Sequence, residues 1–201
     1  LQDFRGIKSL DLTLDEHLTL LTGANGAGKT TLLDAAAILL SWISARTRNI
    51  KGSGQKIADK HIRNTAQTTQ ISAVADIASN TINWHLVKTR AGRKISNTTD
   101  ISALKPYISK LRDKITTLEA QCNIPLFAYY PVNRAVQEIP LNINPNQQFD
   151  LLDAWNGALT GAANFKSFFA WFRQREDLEN ENLSYLQTKN KPDGWEYPDR
   201  Q

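Results

Sequence analysis

The sequence predicts an α/β fold with a mixed sheet, an antiparallel β hairpin region and a helical insertion. Three observations carry this prediction: short apolar strands in the first 22 residues, a glycine-rich loop followed at once by a long helical pattern, and two alternating segments between residues 70 and 88. A chain of 201 residues is long enough for one sizeable core. We therefore expect a single lobe with insertions.

The strands come first in the chain. Residues 7–14 alternate apolar and polar side chains, as a half-buried strand does, and residues 18–22 are short and apolar, as in a buried strand. The opening residues 1–4 resemble a strand already in progress, no Met occurs at any position, and the last residues are polar and turn-like. We expect both ends to be truncated.

A helix is predicted directly after the glycine-rich loop, over residues 30–46. This segment has no Gly or Pro, and its apolar side chains recur at helical spacing: Leu32, Leu33, Ala36, Ala37, Leu40 and Ile43. Residues 47–70 are polar, and Gly52-Ser53-Gly54 within them indicates a flexible surface loop. Residues 70–78 and 81–88 then alternate with period two around Ser79-Asn80, which predicts a hairpin.

Helices and one short strand are predicted in the remainder. Apolar side chains spaced four and three residues apart predict a helix from Leu104 to Cys122, which either covers a sheet or packs on a partner helix. Residues 124–130 indicate a short buried strand stopped by proline, and residues 149–159 a helix. Asn164 is expected to cap a longer helix over residues 165–187, whose aromatic side chains suit a core.

Composition limits the class of protein. Apolar residues make up 41% and charged residues 22%, and no apolar run is long enough to span a membrane. The single cysteine, Cys122, excludes an internal disulfide, and no signal peptide pattern opens the chain, so we expect a soluble protein of the cytoplasm. The few His residues and the Cys show no metal-ligand spacing.

The positive charge is unevenly distributed. The net charge is +4, yet residues 42–114 alone hold 14 Lys and Arg against 4 Asp. A basic surface of this kind attracts phosphate backbones, and the alternative is a solvated lobe whose charge is balanced elsewhere. We therefore expect residues 42–114 to include any DNA-binding surface.

The glycine-rich loop matches the pattern G-x-x-x-x-G-K-[ST] at Gly23, Gly28, Lys29 and Thr30. Glycines permit positive φ and let backbone N–H groups approach phosphate oxygens, and the helix start adds its positive dipole end. Lys29 would neutralise the β- and γ-phosphates as the catalytic cation, and the Thr30 hydroxyl would ligate Mg²⁺. The motif predicts a nucleoside triphosphate site, but it does not distinguish ATP from GTP.

Residues 1–7 (LQDFRGI) and 18–35 (LTLLTGANGAGKTTLLDA) resemble the opening of the structural-maintenance-of-chromosomes (SMC), Rad-fifty and RecF branch of ABC-type ATPases. The N-G-x-G-K-[ST] core followed by L-L-D-A is typical of that branch. Residues 129–134 (YYPVNR) and 164–181 (NFKSFFAWFRQREDLENE) look more narrowly like the ATPase subunits of bacterial anti-phage Septu systems, some of them associated with retrons.

The resemblance implies the N-terminal lobe of an ABC/SMC-type ATPase head, a P-loop NTPase that binds ATP and Mg²⁺. This lobe would comprise residues 1–46 with the phosphate loop, 47–103 with the basic loop and hairpin, and 104–201 as the helical part. In this branch an Arg after the first-strand Phe contacts nucleotide, which implies that role for Arg5. Arg63 lies where a second loop approaches the nucleotide, or is an exposed loop arginine. Around the phosphates, the resemblance implies Gly23, Asn25, Gly26, Ala27, Gly28, Lys29, Thr30 and Thr31.

Two parts of the family pattern are missing. The signature and the Walker B carboxylates, which lie after a long insertion in this branch, do not occur in the chain, and Asp76 and Asp153 are poor substitutes. The glutamine expected after the strand ending at Tyr130 cannot be assigned, because Pro131 and residues 132–134 follow. Without such a carboxylate, we expect this chain alone to bind nucleotide better than it hydrolyses it.

Three functions follow from the resemblance. The first is the ATPase subunit of an anti-phage defence complex, in which ATP joins two heads into a dimer and couples DNA or retron nucleic acid sensing to a partner nuclease of the HNH type. The second is a RecF-like or Rad-fifty-like DNA-repair ATPase. The third, the nucleotide-binding subunit of a membrane transporter, is disfavoured by the long basic insertion and the Asn25-Gly26 loop, so we expect no membrane partner.

Overall fold

The computed structural model describes residues 1–77, 80–93, 97–118, 122–131, 150–160 and 165–189. Its strands and α-helices in chain order are β1 (Gln2–Phe4), β2 (Ile7–Ser9), α1 (Lys29–Arg48), β3 (Thr68–Ile77), β4 (Asn80–Thr89), α2 (Leu104–Leu118) and α3 (Phe165–Lys189). Short 3-10 helices occur at Asp59–His61 and Leu151–Trp155.

The strands form one four-stranded sheet in the order β2-β1-β3-β4. Every neighbouring pair in it is antiparallel, so the prediction of a mixed sheet was wrong for the described part of the chain. A tight turn explains the β1–β2 pair, because these two strands are joined through Arg5-Gly6 alone, and parallel neighbours need a much longer crossover. The predicted hairpin is confirmed as β3 and β4, whose register runs from Thr68↔Thr89 to Ile77↔Asn80.

The helix predicted after the loop is confirmed as α1. The apolar positions from which it was predicted are only partly buried, with Ala37 and Ile43 inside the core region. Ala35, Ile38 and Leu39 are buried, whereas Leu33 is 47% exposed. Because α1 is apolar almost all round, spacing alone does not select the face that meets the sheet. The core contains residues from α1, α2, the sheet and the loop after α1: Phe4, Ala35, Ile38, Leu39, Ile43, Ile57, Ile71, Ile82, Trp84, Leu86, Leu104 and Ile108.

Helix α2 confirms the first part of the predicted Leu104–Cys122 stripe. Leu104, Ile108 and Leu111 are buried, while Leu118 at the last residue of the helix is 48% exposed. The helix packs on both α1 and β4, so it contacts a helix and the sheet together. Each of the two predicted alternatives, that the helix covers a sheet or that it packs on a partner helix, therefore holds in part.

The segment after α1 is irregular, as predicted, but its glycines serve close packing. A Cβ on Gly52 would lie 2.3 Å from the Ala45 carbonyl oxygen, and one on Gly54 would lie 2.6 Å from the Trp42 ring. These distances are shorter than van der Waals contact, so only glycine fits at either position.

Four predicted elements take other forms. Residues 10–22 contain no strand, so the predictions of a strand to residue 14 and of a buried strand at 18–22 were wrong; Leu18 and Leu20 are 79% and 80% exposed. Residues 124–130 are irregular rather than a buried strand, with Leu126 75% exposed. The helix predicted at 149–159 is a 3-10 helix followed by turns. Apolar sequence alone does not provide the neighbouring strand that a sheet edge needs.

The chain divides into two compact units, Leu1–Arg134 with Asp150–Ala163, and Ala135–Phe149 with Asn164–Gln201. Helix α3 of the second unit confirms the last predicted helix, but the Asn164 cap and the side chains of residues 165–171 lie outside the described residues. Phe172 is 50% exposed, which differs from the predicted core position. No helix in the described ranges is long and apolar enough to cross a membrane. The assignment of residues 1–201 to one lobe stays a prediction.

Candidate nucleotide-binding site

The glycine-rich loop connects residues 18–22, which form no regular secondary structure, to the start of α1. Gly23, Gly26 and Gly28 have φ values of 151°, 85° and 98°, which side chains with a Cβ rarely adopt. Ala27 donates its backbone N–H to the Ala24 carbonyl oxygen at 3.2 Å, which closes a turn at the exposed tip that contains Asn25. The positions of the glycines in the motif therefore determine where the backbone of the loop can turn.

Lys29 folds back over this loop. Its ammonium Nζ donates to the carbonyl oxygens of Gly23 and Ala24 at 2.7 and 2.9 Å. The positive charge therefore lies inside the curve of the loop, although the side chain leaves from the first residue of α1. This position suits a cation that neutralises an anion held by the loop.

The start of α1 leaves backbone donors available to an anion. The first hydrogen bond within the helix runs from the Leu32 N–H to the Gly28 carbonyl oxygen at 3.1 Å, so the N–H groups of Lys29, Thr30 and Thr31 have no partner inside the helix. Gly28 occupies the cap position and has no side chain to satisfy them. Thr30 is exposed, and its hydroxyl is accessible to a metal ion. These residues fit a triphosphate with Mg²⁺.

The β1–β2 turn lies against this helix start. A Cβ on Gly28 would come within 3.6 Å of the Ile7 side chain. Arg5, at the turn, has φ 53°, and its backbone N–H donates to the His61 carbonyl oxygen at 2.7 Å. The turn is therefore held between α1 and the 3-10 helix Asp59–His61.

Arg5 forms an ion pair that sequence reasoning missed. Its Nη1 lies 2.5 Å from Asp34 Oδ2, and its Nη2 lies 3.3 Å from His61 Nε2. The other carboxylate oxygen of Asp34 accepts a hydrogen bond from the Tyr129 hydroxyl. Asp34 is the one acidic residue of α1, and that isolation in an apolar helix was the available signal. Contact of Arg5 with nucleotide stays a prediction.

The neighbours of this cluster shift two pKa values. Burial, followed by the nearby cations Arg5 and Lys60, lowers the pKa of His61 below 6.5. Burial, followed by the hydrogen bond to Asp34, raises the pKa of Tyr129 to about 12. At neutral pH His61 is therefore uncharged, and Tyr129 keeps the proton that it donates to Asp34.

A basic cleft of about 410 Å³ lies beside the turn, lined by Arg5, Gly6, Lys60, Ile62, Arg63, Asn64 and Thr65. Arg63 also pairs with Asp3, with 3.6 Å between Nη1 and Oδ1, and its backbone N–H donates to the Asp3 carbonyl oxygen. The structure thus places Arg63 next to Arg5. Whether either side chain touches a nucleotide stays a prediction.

The other candidate carboxylates have local partners. Asp76 accepts a hydrogen bond from the Thr81 hydroxyl across the hairpin at 2.6 Å, and Asp153 accepts one from the Asp150 N–H at 2.9 Å. Residues 132–134, in the segment where a glutamine was expected, lie outside the described residues, as does Lys94 of the basic stretch. That this chain lacks the Walker B carboxylate needed for hydrolysis stays a prediction.

Known proteins are similar to this chain over most of its length. A family model described as an AAA domain (AAA_23) matches residues 1–192. The chain is 28% identical over 191 residues to the Retron Ec83 probable ATPase of Escherichia coli, and 26% identical over 194 residues to the Retron Vc95 probable ATPase of Vibrio cholerae serotype O1 biovar El Tor.

Each of these alignments covers 90% of this chain but only 34% and 37% of the respective relative, so the chain spans about a third of their length. The DNA replication and repair protein RecF of Rhizobium rhizogenes (strain K84 / ATCC BAA-868) is 54% identical over 39 residues, which are 19% of this chain and 10% of that protein.

Proposed function

This chain belongs to the AAA domain family, and on that premise we propose that its phosphate loop binds ATP with Mg²⁺ in a protein that hydrolyses ATP. The observation that carries the proposal is the loop itself. It combines positive-φ glycines, a lysine ammonium inside the curve and unpaired N–H groups at the start of α1.

Each loop residue has a distinct task. Lys29 exchanges its bonds to the Gly23 and Ala24 carbonyls for phosphate oxygens, which removes electrostatic repulsion between the phosphates. The N–H groups at the start of α1 orient the anion, and the Thr30 hydroxyl holds Mg²⁺, which when bound neutralises charge on the transferred phosphate. Walker B and signature residues elsewhere in the full-length protein would complete hydrolysis.

The test is Lys29→Ala in the full-length protein, with ATP affinity measured by titration calorimetry. Loss of a charge-assisted contact to phosphate should weaken binding by about a hundredfold. Lys110→Ala, which removes an exposed lysine of α2, is the matched control and should leave the affinity unchanged. Retained affinity in Lys29→Ala would refute nucleotide binding by this loop.

We further propose the ATPase subunit of an anti-phage defence complex of the Septu type, with an SMC-like head that dimerises on ATP and controls a partner nuclease. The support is the similarity to two proteins named as retron probable ATPases over 90% of this chain. A neighbouring gene for an HNH nuclease, and co-purification of its product with this protein, are expected. The absence of both would count against the defence role.

The second candidate is a DNA-repair ATPase like RecF, and the short match of 54% identity to a RecF protein favours it. Both candidates predict an ATP-dependent dimer, which light scattering with and without ATP would detect. They differ in the proposed partner, because only the defence role assigns a partner nuclease of the HNH type. Chromosomal DNA damage sensitivity of a deletion strain without loss of phage resistance would favour repair.

A further inference from the structure

We propose that Asp34 is a positioning residue of the nucleotide site, holding the Arg5 guanidinium and the Tyr129 hydroxyl against the phosphate-loop helix. The inference rests on the proposed binding of nucleotide by this loop. It assigns a role to Asp34, which follows the phosphate-loop motif in the sequence and makes none of the phosphate contacts described above.

The place of Asp34 in α1 is the first argument. Asp34 follows Thr30 by four residues, which puts it one turn further along the same side of the helix. Its side chain is only 22% exposed, in a helix whose neighbouring residues are apolar. A half-buried carboxylate needs compensating partners, and this one finds them on two distant segments.

Those partners connect three parts of the first unit. Arg5 lies 29 residues before Asp34 and belongs to the β1–β2 turn, whereas Tyr129 lies 95 residues after it. Tyr129 is itself anchored, because its backbone N–H donates to the Ala158 carbonyl oxygen at 2.7 Å. Asp34 is thus the point at which the turn and the Tyr129 segment meet α1.

Arg5 is held in a way that leaves it capable of binding an anion. Its backbone is fixed by the bond to His61, and its Nη1 by Asp34. A guanidinium carries five N–H donors, more than these contacts use. Arg5 also lines the basic cleft beside the turn, where it meets Lys60 and Arg63. Asp34 therefore orients a cation beside α1, the helix that begins at the phosphate loop, and the guanidinium still has N–H donors for an anion.

Tyr129 makes the arrangement persistent. A tyrosine hydroxyl is protonated at neutral pH, and burial and the bond to Asp34 raise the pKa of Tyr129 to about 12, so it remains a donor well above neutral pH. Two donors on one carboxylate, one on each oxygen, fix the rotation of the Asp34 side chain and hence the direction of Arg5.

The test is a double-mutant cycle on ATP binding in the full-length protein. Asp34→Asn keeps the shape but removes the charge, and should weaken ATP binding by about tenfold through a misdirected Arg5. Arg5→Ala should weaken it at least as much. The combined variant should bind no more weakly than Arg5→Ala alone, because Asp34 acts through Arg5. Tyr129→Phe should give a smaller loss in the same direction.

Asp113→Asn, on the exposed side of α2, is the control for loss of one negative charge. Unchanged ATP affinity in Asp34→Asn, with only a lower melting temperature, would show a purely structural ion pair and overturn the proposal. Additive losses in the combined variant would overturn it as well. Failure of the wild type to bind ATP would refute the proposed function itself, whereas binding lost only in Lys29→Ala would refute the positioning role alone.

Discussion

Arg90 provides the sharpest test of how the loop beside the nucleotide site is held. Its Nε donates to the Ala66 carbonyl oxygen at 3.0 Å, and its Nη2 lies 3.3 Å from the carbonyl oxygens of both Ile62 and Arg63. Replacing Arg90 with Ala removes these donors, so the three carbonyl oxygens then accept hydrogen bonds from water instead. The loop of residues 62–66 carries Arg63 of the basic cleft, so its stability bears on the site.

The magnitude follows from the geometry. A hydrogen bond from a charged donor contributes about 1.5–3 kcal/mol when it is short and buried. Two of the three contacts are long and the site is half-buried, so we expect a total loss of about 2 kcal/mol for Arg90→Ala. The amides of residues 63–66 should then exchange with solvent about thirtyfold faster.

Hydrogen exchange read by mass spectrometry, with a urea unfolding curve, measures both consequences. The matched control is Arg93→Ala, an exposed arginine three residues further on. If Arg90→Ala leaves both the exchange rates and the urea midpoint at wild-type values, the assignment of Arg90 to the support of this loop is wrong.

Two more predictions concern packing and pH. Gly54→Ala should lower the free energy of unfolding by about 1–3 kcal/mol, because its Cβ would lie 2.6 Å from the Trp42 ring, and thermal unfolding against Ser53→Ala checks this. His61 should make the protein less stable as pH falls below 6.5, because the unfolded chain binds a proton that burial and Arg5 disfavour in the folded state. Urea unfolding at pH 7 and pH 5 should show a smaller decline for His61→Asn; an equal decline would exclude His61 as its source.

The phosphate loop could be predicted because its determinants are local. Glycine positions encode the positive φ of Gly23, Gly26 and Gly28, and the helical spacing encodes α1 directly after them. The β3–β4 hairpin was predictable for the same reason, since two alternating segments flank a short turn.

Sheet membership was not predictable from local sequence. Residues 18–22 have the composition of a buried strand, yet Leu18 and Leu20 are largely exposed, because strand formation depends on a neighbour elsewhere in the chain. Residues 124–130, stopped by proline, suggested a short buried strand for equally local reasons, and there the chain instead packs Phe127 on Trp155. The contacts of Asp34 were not predictable from local sequence either, because its partners Arg5 and Tyr129 are distant in the chain.

The basic stretch shows that positively charged side chains can also hold the fold together. The arginines of residues 42–114 largely serve the fold: Arg48 and Arg112 donate to the carbonyl oxygens of Leu152 and Thr47, much as Arg90 does to its loop. The planar guanidinium suits this task because it satisfies several acceptors at once. Lysines remain on the surface, as on the exposed side of α2 at Lys105, Lys110 and Lys114.

A polyanion that approached this region would meet the field of both the arginines and the lysines, because a hydrogen bond to a neutral carbonyl oxygen leaves the charge of a guanidinium in place. The exposed lysine ammonium groups of α2 contribute to this field. Such groups are strongly hydrated point charges, which attract phosphates without directional readout. The expected interaction is dependent on salt and indifferent to base sequence, since its free energy comes from the release of counterions. Any preference for a particular nucleic acid has to arise from groups other than these lysines.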